Sequence, residues 1–131
     1  MGLVRPLDRR PPFRRVDHVQ LAIPRGKEAE ARSFYVGILG LTEQLKPAEL
    51  IDRGGMWLRS GDVAVHLGVD DDFHAAMKAH PAFRCADYEA LVQCVRAHGA
   101  RVVEDGSLFD GSPHCYISDP FGNRIELIKG E

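Results

Sequence analysis

The sequence has few cysteines and no cysteine pattern. Its three cysteines are odd in number and show no CxxC spacing (Cys85, Cys94 and Cys115). A disulfide framework requires pairs, and a thiolate zinc site requires closely spaced pairs, so the sequence favours neither. Free, buried thiols are the interpretation that remains.

Long apolar runs and an excess of charge of one sign are also missing. No stretch approaches the roughly 18 apolar residues of a membrane span, and the N-terminal stretch lacks the apolar core of a secretory signal. We therefore expect a cytoplasmic protein without a membrane partner. The 17 basic and 19 acidic residues give a formal net charge of -2, which leaves no broad basic face for nucleic acid.

The sequence does contain enough apolar material for one compact domain. Of its 131 residues, 44% are hydrophobic, and a chain of this length buries about two thirds of its extended surface on folding. The Arg- and Pro-rich residues 1–14 cannot form a packed core, which predicts a flexible N-terminal arm. We expect a single domain over 15–131, with modules at about 15–70 and 79–131.

Hydrophobic periodicity predicts the same order of elements twice. In the first half it predicts a strand, a helix and three strands, at 16–23, 28–39, 41–46, 56–60 and 62–69. In the second half the corresponding segments are 80–86, 87–98, 100–105, 114–118 and 123–128. The predicted fold class is therefore α+β, with two tandem βαβββ modules that form a curved mixed sheet.

The spacing of matching residues supports an internal duplication. His18 precedes His80 by 62 residues, and His66 precedes Glu126 by 60. All four lie opposite the large apolar side chains of their predicted strands. If each helix covers the apolar face of its own module, the other faces form a cup into which these four side chains point.

Three imidazoles and one carboxylate suit a divalent metal such as zinc, nickel, manganese or iron. His18, His80 and Glu126 alone would form a two-His, one-carboxylate triad of the type used by non-heme iron oxygenases. If His66 also binds the metal, fewer positions stay open and the site resembles a Lewis-acid centre. Glu126 is also the candidate catalytic base, although a role as a fixed ligand is the favoured alternative.

Five further residues are predicted to line the cup and contact substrate, and each has a structural alternative. These residues are Gln20, Trp57, Arg84, His114 and Tyr116. Arg84 suits an anionic substrate but equally a surface salt bridge. Trp57 suits a core position, and His114 suits a partner that orients a metal ligand.

Four segments carry a resemblance to a known family: "DHVQLAI", "ARSFYVGILGLTE", "HPAFRCADYEAL" and "DPFGNRIELI". They resemble the vicinal oxygen chelate superfamily, which includes glyoxalase I, extradiol dioxygenases, methylmalonyl-CoA epimerase and the fosfomycin- and bleomycin-resistance proteins. The resemblance covers residues 16–129. It implies paired βαβββ modules and metal ligands at His18, His66, His80 and Glu126.

The resemblance also implies an oligomeric state. Family members of this length are commonly homodimers whose sites combine modules from two subunits, and twofold pairing is the commonest symmetry. His18 and His66 would then come from one subunit, and His80 and Glu126 from its partner. Two equivalent sites at the subunit interface would follow.

At the position of His66, this sequence differs from two well-known members of the superfamily, which bears on the type of reaction to expect. Bacterial glyoxalase I typically has a carboxylate at the position of His66, and the epimerase has glutamine there. The leading hypothesis is a metal-dependent lyase or isomerase of the glyoxalase type, acting on a small oxygen-rich molecule. The alternatives are an extradiol-type ring-cleaving dioxygenase that uses Fe(II), and a metal-free binding protein of the bleomycin-resistance type.

Overall fold

The computed structural model describes residues 2–3 and 10–131. Half of the predicted N-terminal arm, residue 1 and residues 4–9, lies outside the described residues. Residues 10–18 contain no helix or strand, and the side chains over 10–18 are exposed. Within the described residues, no helix combines the length and apolar composition that a membrane crossing requires.

The first module forms one four-stranded mixed sheet covered by one helix. Its elements are β1 (Val19–Ile23), α1 (Glu28–Tyr35), β2 (Thr42–Gln44), a short 3-10 helix (Ala48–Arg53), β3 (Met56–Ser60) and β4 (Val63–Val69). The strand order is β1-β4-β3-β2. β1 pairs with β4 in parallel, because α1 carries the chain back between them, whereas β3 and β4 form a hairpin.

The second module repeats this arrangement. Its elements are β5 (Ala82–Cys85), α2 (Tyr88–Ala97), β6 (Val102–Ser107), β7 (Pro113–Ser118) and β8 (Arg124–Lys129). The strand order β5-β8-β7-β6 matches that of the first sheet. The α+β prediction of two tandem βαβββ modules is confirmed.

The hydrogen-bond register of the two sheets matches row by row. In the first sheet, Gln20 lies beside His66, which lies beside Trp57. In the second sheet, Ala82, Glu126 and Tyr116 form the same row. His66 and Glu126 therefore occupy equivalent central positions.

Both helices end near the predicted glycines. Gly40 and Gly99 each have φ of +78°, which glycine adopts without the penalty that a Cβ brings. The first helix is shorter than predicted, because the backbone N–H groups of Gly37 and Leu39 bond five residues back and loosen the ladder after Tyr35. Turns replace the predicted helix over 36–39.

The core is shared by the two modules. Alternate strand residues point into it, including Met56, Leu58, Ile117 and Ile125, each at most 1% exposed. A polar contact also joins the modules, since the Tyr35 hydroxyl donates to Asp119 Oδ2 at 2.7 Å. The β7–β8 turn is thereby fixed against α1.

Candidate functional site

The polar faces of the two sheets carry the predicted site residues as two separate groups. His18, Gln20, Trp57 and His66 belong to the first module. His80, His114, Tyr116 and Glu126 belong to the second. We refer to these groups as the first and second half-sites. The strand period of two explains the placement, because the neighbours of these residues on each strand fill the core.

Three rings stack in the first half-site. The rings of His18 and His66 are 4.0 Å apart at 14°, and those of Trp57 and His66 are 4.3 Å apart at 6°. Burial and the neighbouring His18 lower the pKa of His66. The imidazole that lies between two rings is therefore favoured in its neutral, metal-binding form.

Asp17 orients the exposed His18 through a hydrogen bond. Sequence reasoning missed this contact. His18 Nδ1 donates to Asp17 Oδ2 at 2.8 Å, and this hydrogen bond lowers the pKa of Asp17. A proton on Nδ1 leaves the lone pair of Nε2 free to bind a metal. A carboxylate behind a ligating histidine is a common arrangement in metal sites, and an acidic residue directly before a candidate ligand was the signal in the sequence.

The cleft beside this half-site has a volume of about 480 Å³. Gln20 lines it, and also lines a second cleft of about 460 Å³ that His80 borders. Gly68 makes room for this side chain, since a Cβ there would lie 2.5 Å from Gln20 Nε2. Gln20 is thus the predicted substrate contact that faces both clefts.

The second half-site is a hydrogen-bonded cluster around Glu126, which is only 7% exposed. His80 Nε2 lies 3.1 Å from Glu126 Oε1, and His114 Nδ1 donates to Glu126 Oε2 at 2.8 Å. The other nitrogen of His80, Nδ1, donates to the Lys78 carbonyl at 2.8 Å. With the Nδ1 proton engaged in this way, Nε2 and Oε1 are satisfied either by a proton on Nε2 or by a cation that both atoms bind.

Tyr116 joins the parts of the second half-site. Its ring meets those of His80 and His114 nearly edge-on, at 5.2 and 5.5 Å between centroids. The Arg124 guanidinium lies 3.9 Å from the centre of the Tyr116 ring. Sequence reasoning did not select Arg124, although it is two residues before Glu126 and therefore on the same face of β8.

Arg84 has protein partners of its own. Its guanidinium forms an ion pair with Asp110 at 3.3 Å and donates to Ser112 Oγ and to the Lys129 carbonyl. The sequence left a surface salt bridge and a substrate contact equally open at this position. The geometry matches the salt bridge.

One subunit brings the four candidate ligands together as two pairs only. Among the described residues, no three His, Cys, Asp or Glu side chains are grouped closely enough to hold a metal ion. The donor chemistry nevertheless fits a divalent transition metal, because each pair places an imidazole beside a second ligand-type group. A third cavity, of about 290 Å³ and mostly apolar, lies on the core side of the sheets; Arg84 borders it, and none of the four candidate ligands does.

Comparison with known proteins identifies the fold and the family. A family model described as a glyoxalase-like domain matches residues 20–128. A glyoxalase family protein from Bacillus anthracis is 41% identical, with a TM-score of 0.87, over 93% of this chain and 99% of that one. No curated protein sequence matches the chain.

Two more distant structures share the fold alone. A glyoxalase/dioxygenase from Nostoc punctiforme is 20% identical with a TM-score of 0.76, over 98% of this chain and 99% of its own. The fosfomycin resistance protein FosX from Listeria monocytogenes is 14% identical with a TM-score of 0.72, over 91% and 95%.

The paired modules, the matching glyoxalase-like domain model and the 41% identical Bacillus anthracis protein define a member of the vicinal oxygen chelate superfamily. Within that superfamily, the chain belongs to the glyoxalase-like domain family. The resemblance predicted from the sequence is confirmed.

Proposed function

We propose that the protein is a homodimeric metalloenzyme of the glyoxalase type, with lyase or isomerase activity on a small oxygen-rich substrate. Each site would combine His18 and His66 of one subunit with His80 and Glu126 of the other. The family supports this proposal, since its members commonly use divalent metals. The substrate would enter the clefts that Gln20 lines.

One observation carries the proposal. His66 and Glu126 occupy the same register row of two duplicated sheets, and a histidine lies beside each of them. Each pair alone is an incomplete ligand set, because a metal with three or four protein ligands needs both. A second copy of the chain offers the complementary pair.

The ligand types indicate zinc, nickel, manganese or iron. When bound, such an ion supplies a Lewis acid that stabilises negative charge on a substrate oxygen. The protein residues bind and orient the substrate: Gln20 offers an amide donor and acceptor, and Tyr116 a phenol. Glu126 would serve as a ligand of the ion, or as the base that removes a proton from the substrate.

The first experiment is elemental analysis of protein purified without a metal-binding tag and reconstituted at neutral pH. We expect about one ion per subunit in the wild type, because a twofold dimer with shared sites has two. The variants His80→Ala and Glu126→Ala should each lose most of it, whereas His98→Ala, at an exposed helix end, should retain it. Metal-free wild-type protein after reconstitution would contradict the enzyme proposal.

A mixed dimer tests whether the site is shared. A subunit with His66→Ala lacks only the first half-site, and a subunit with Glu126→Ala lacks only the second. If sites are shared, a heterodimer of the two retains one intact site, and its metal content should return to about half that of wild type. Sites confined within single subunits predict no recovery, so equal low metal in the mixture would disprove the shared arrangement.

The reaction class follows from substrate screening of the metal-loaded protein. Turnover of 2-oxoaldehyde thiol adducts or acyl-CoA epimers would support the lyase or isomerase proposal. Oxygen uptake on catechols after anaerobic iron loading would instead favour ring-cleaving dioxygenase chemistry.

A second candidate function is a metal-free binding protein. The stack of His18, His66 and Trp57 favours it, since stacked rings also suit recognition of a planar molecule. Ligand binding by metal-free protein, unchanged in Glu126→Ala, would distinguish this function from the enzyme.

A further inference from the structure

We propose that His114 is a positioning residue that holds Glu126 so that a single carboxylate oxygen, Oε1, is presented to the metal. This inference rests on the proposed function. Of the two roles that the sequence left open for His114, it selects the partner that orients a metal ligand over the substrate contact.

The geometry occupies both nitrogens of the His114 ring. Nδ1 donates to Glu126 Oε2 at 2.8 Å, and Nε2 lies 3.3 Å from the Asp105 carbonyl. The residue is 6% exposed. A ring buried in this way, with a protein oxygen at each nitrogen, has no nitrogen left for a substrate or a metal.

The hydrogen bond from His114 fixes the orientation of the Glu126 carboxylate. Its Oε2 is held by His114, while its Oε1 lies 3.1 Å from His80 Nε2. Each carboxylate oxygen therefore faces a different histidine, and the carboxylate has a fixed orientation. A carboxylate free to rotate could bind a metal through either oxygen or both, so the bond from His114 would select the atom that faces His80.

The duplication provides an internal comparison. Tyr116 and Trp57 occupy equivalent register positions, and His114 lies two residues before Tyr116. The equivalent position in the first module, two residues before Trp57, is Gly55. The buried imidazole is present only in the module whose central residue is a carboxylate. His66, the central residue of the other module, is held by ring stacking instead.

The test compares two substitutions of His114, one that keeps a hydrogen-bond donor without the ring and one that keeps the ring without the donor. In His114→Asn the side-chain amide nitrogen occupies the place of Nδ1 and can still donate to Glu126. In His114→Phe the ring remains but the donor is lost. His98→Phe is the matched control, since it makes the same exchange at an exposed helix end far from the half-sites.

The measurement is titration of each metal-free protein with Co²⁺, followed by the visible absorption of the bound ion and by chelator competition. We expect His114→Phe to bind Co²⁺ about 10–100-fold more weakly and with an altered spectrum, because an outer partner of a ligand commonly affects metal affinity to that degree. His114→Asn and His98→Phe should stay near wild type. Thermal unfolding of the metal-free variants separates loss of affinity from loss of folding.

The outcomes separate this inference from the proposed function. Wild-type binding with unchanged affinity and spectrum in His114→Phe would overturn the positioning role alone. Equal weakening in the Phe and Asn variants would also overturn it, since the variant that retains a donor in place of Nδ1 would then bind no better than the variant that lacks one. Wild-type protein that binds no Co²⁺ would overturn the proposed function, and this inference with it.

Discussion

At the scale of single residues, the buried carboxylate of Asp119 accepts four hydrogen bonds. It accepts the Tyr35 hydroxyl, the backbone N–H groups of Phe121 and Asn123, and the Asn123 amide, all within 2.9 Å. The Asn123 amide also donates to the Ala22 carbonyl at 2.8 Å. A carboxylate that is 5% exposed is tolerated only because its oxygens are all bonded.

Replacement of Tyr35 by Phe should therefore destabilise the protein. We expect a loss of about 1–3 kcal/mol in the free energy of unfolding, because a buried charged acceptor loses one donor. Tyr88→Phe is the control, since its buried phenol lies against the Cys115 thiol, a weak partner. Urea denaturation measures both; a smaller loss for Tyr35→Phe than for Tyr88→Phe would contradict this account of Asp119.

The same tyrosine predicts the response to alkali. Burial and the charge of Asp119 raise the pKa of Tyr35. The unfolded phenol ionises near pH 10, so the unfolded state releases this proton first and stability falls as pH rises above about 10. We expect a shallower alkaline loss in Tyr35→Phe, measured by urea midpoints between pH 9 and 11. Equal slopes in the two proteins would exclude Tyr35 as the titrating group.

At the scale of elements, the entry to β3 depends on close backbone approach. Gly55 has φ of +79°, and a Cβ on it would lie 2.0 Å from the Leu67 carbonyl oxygen. Gly61, in the β3–β4 turn, has φ of +57° with no atom within 4 Å of a Cβ. Both backbones favour glycine, but only Gly55 also excludes a side chain by contact.

These two glycines form a matched pair for substitution. Gly61→Ala should cost about 1–2 kcal/mol, which is the ordinary penalty for a left-handed residue. Gly55→Ala should cost at least about 3 kcal/mol, because the strand must also move away from Leu67. Thermal or urea denaturation would measure both, and equal costs would show that β3 adapts to the extra methyl group.

Most elements could be predicted from the sequence, because most strands have one face in the core. The strand predicted at 41–46 is shorter, at Thr42–Gln44; these three residues are exposed, and they are the ones that pair with β3. The 3-10 helix at Ala48–Arg53 was not predicted, since it has no buried residue and therefore no apolar period.

For the candidate site, the sequence could predict only which face of its sheet each residue lies on. Alternation correctly places His66 and Glu126 on the polar sides of their strands, and the spacing of the repeats predicts their equivalence. Contacts that depend on side-chain direction, such as Asp17 with His18 and His114 with Glu126, have no periodic signal. Alternation is equally silent on whether the two half-sites meet within one chain or between two.

At the scale of the whole molecule, the shared core predicts that the two modules unfold together. Trp57 is the single tryptophan and reports on the first module, whereas Ile117, 1% exposed, lies in the second. Ile117→Ala should lower the denaturation midpoint seen by Trp57 fluorescence, with a loss of about 2–4 kcal/mol, because the cavity destabilises both modules. Circular dichroism should give the same midpoint; a fluorescence transition that stays at the wild-type midpoint would show independent modules.

The matched rows of the two sheets bear on how such a protein changes over generations. Each half has its own copy of every strand position, so an exchange in one half alters one wall of the binding face and leaves the opposite wall as it was. His66 in one sheet and Glu126 at the matching position of the other are an example of such a difference. Duplication alone would leave the same residue at both positions. Residues on the polar face of one module can thus change during evolution without a change in the other module or in the core.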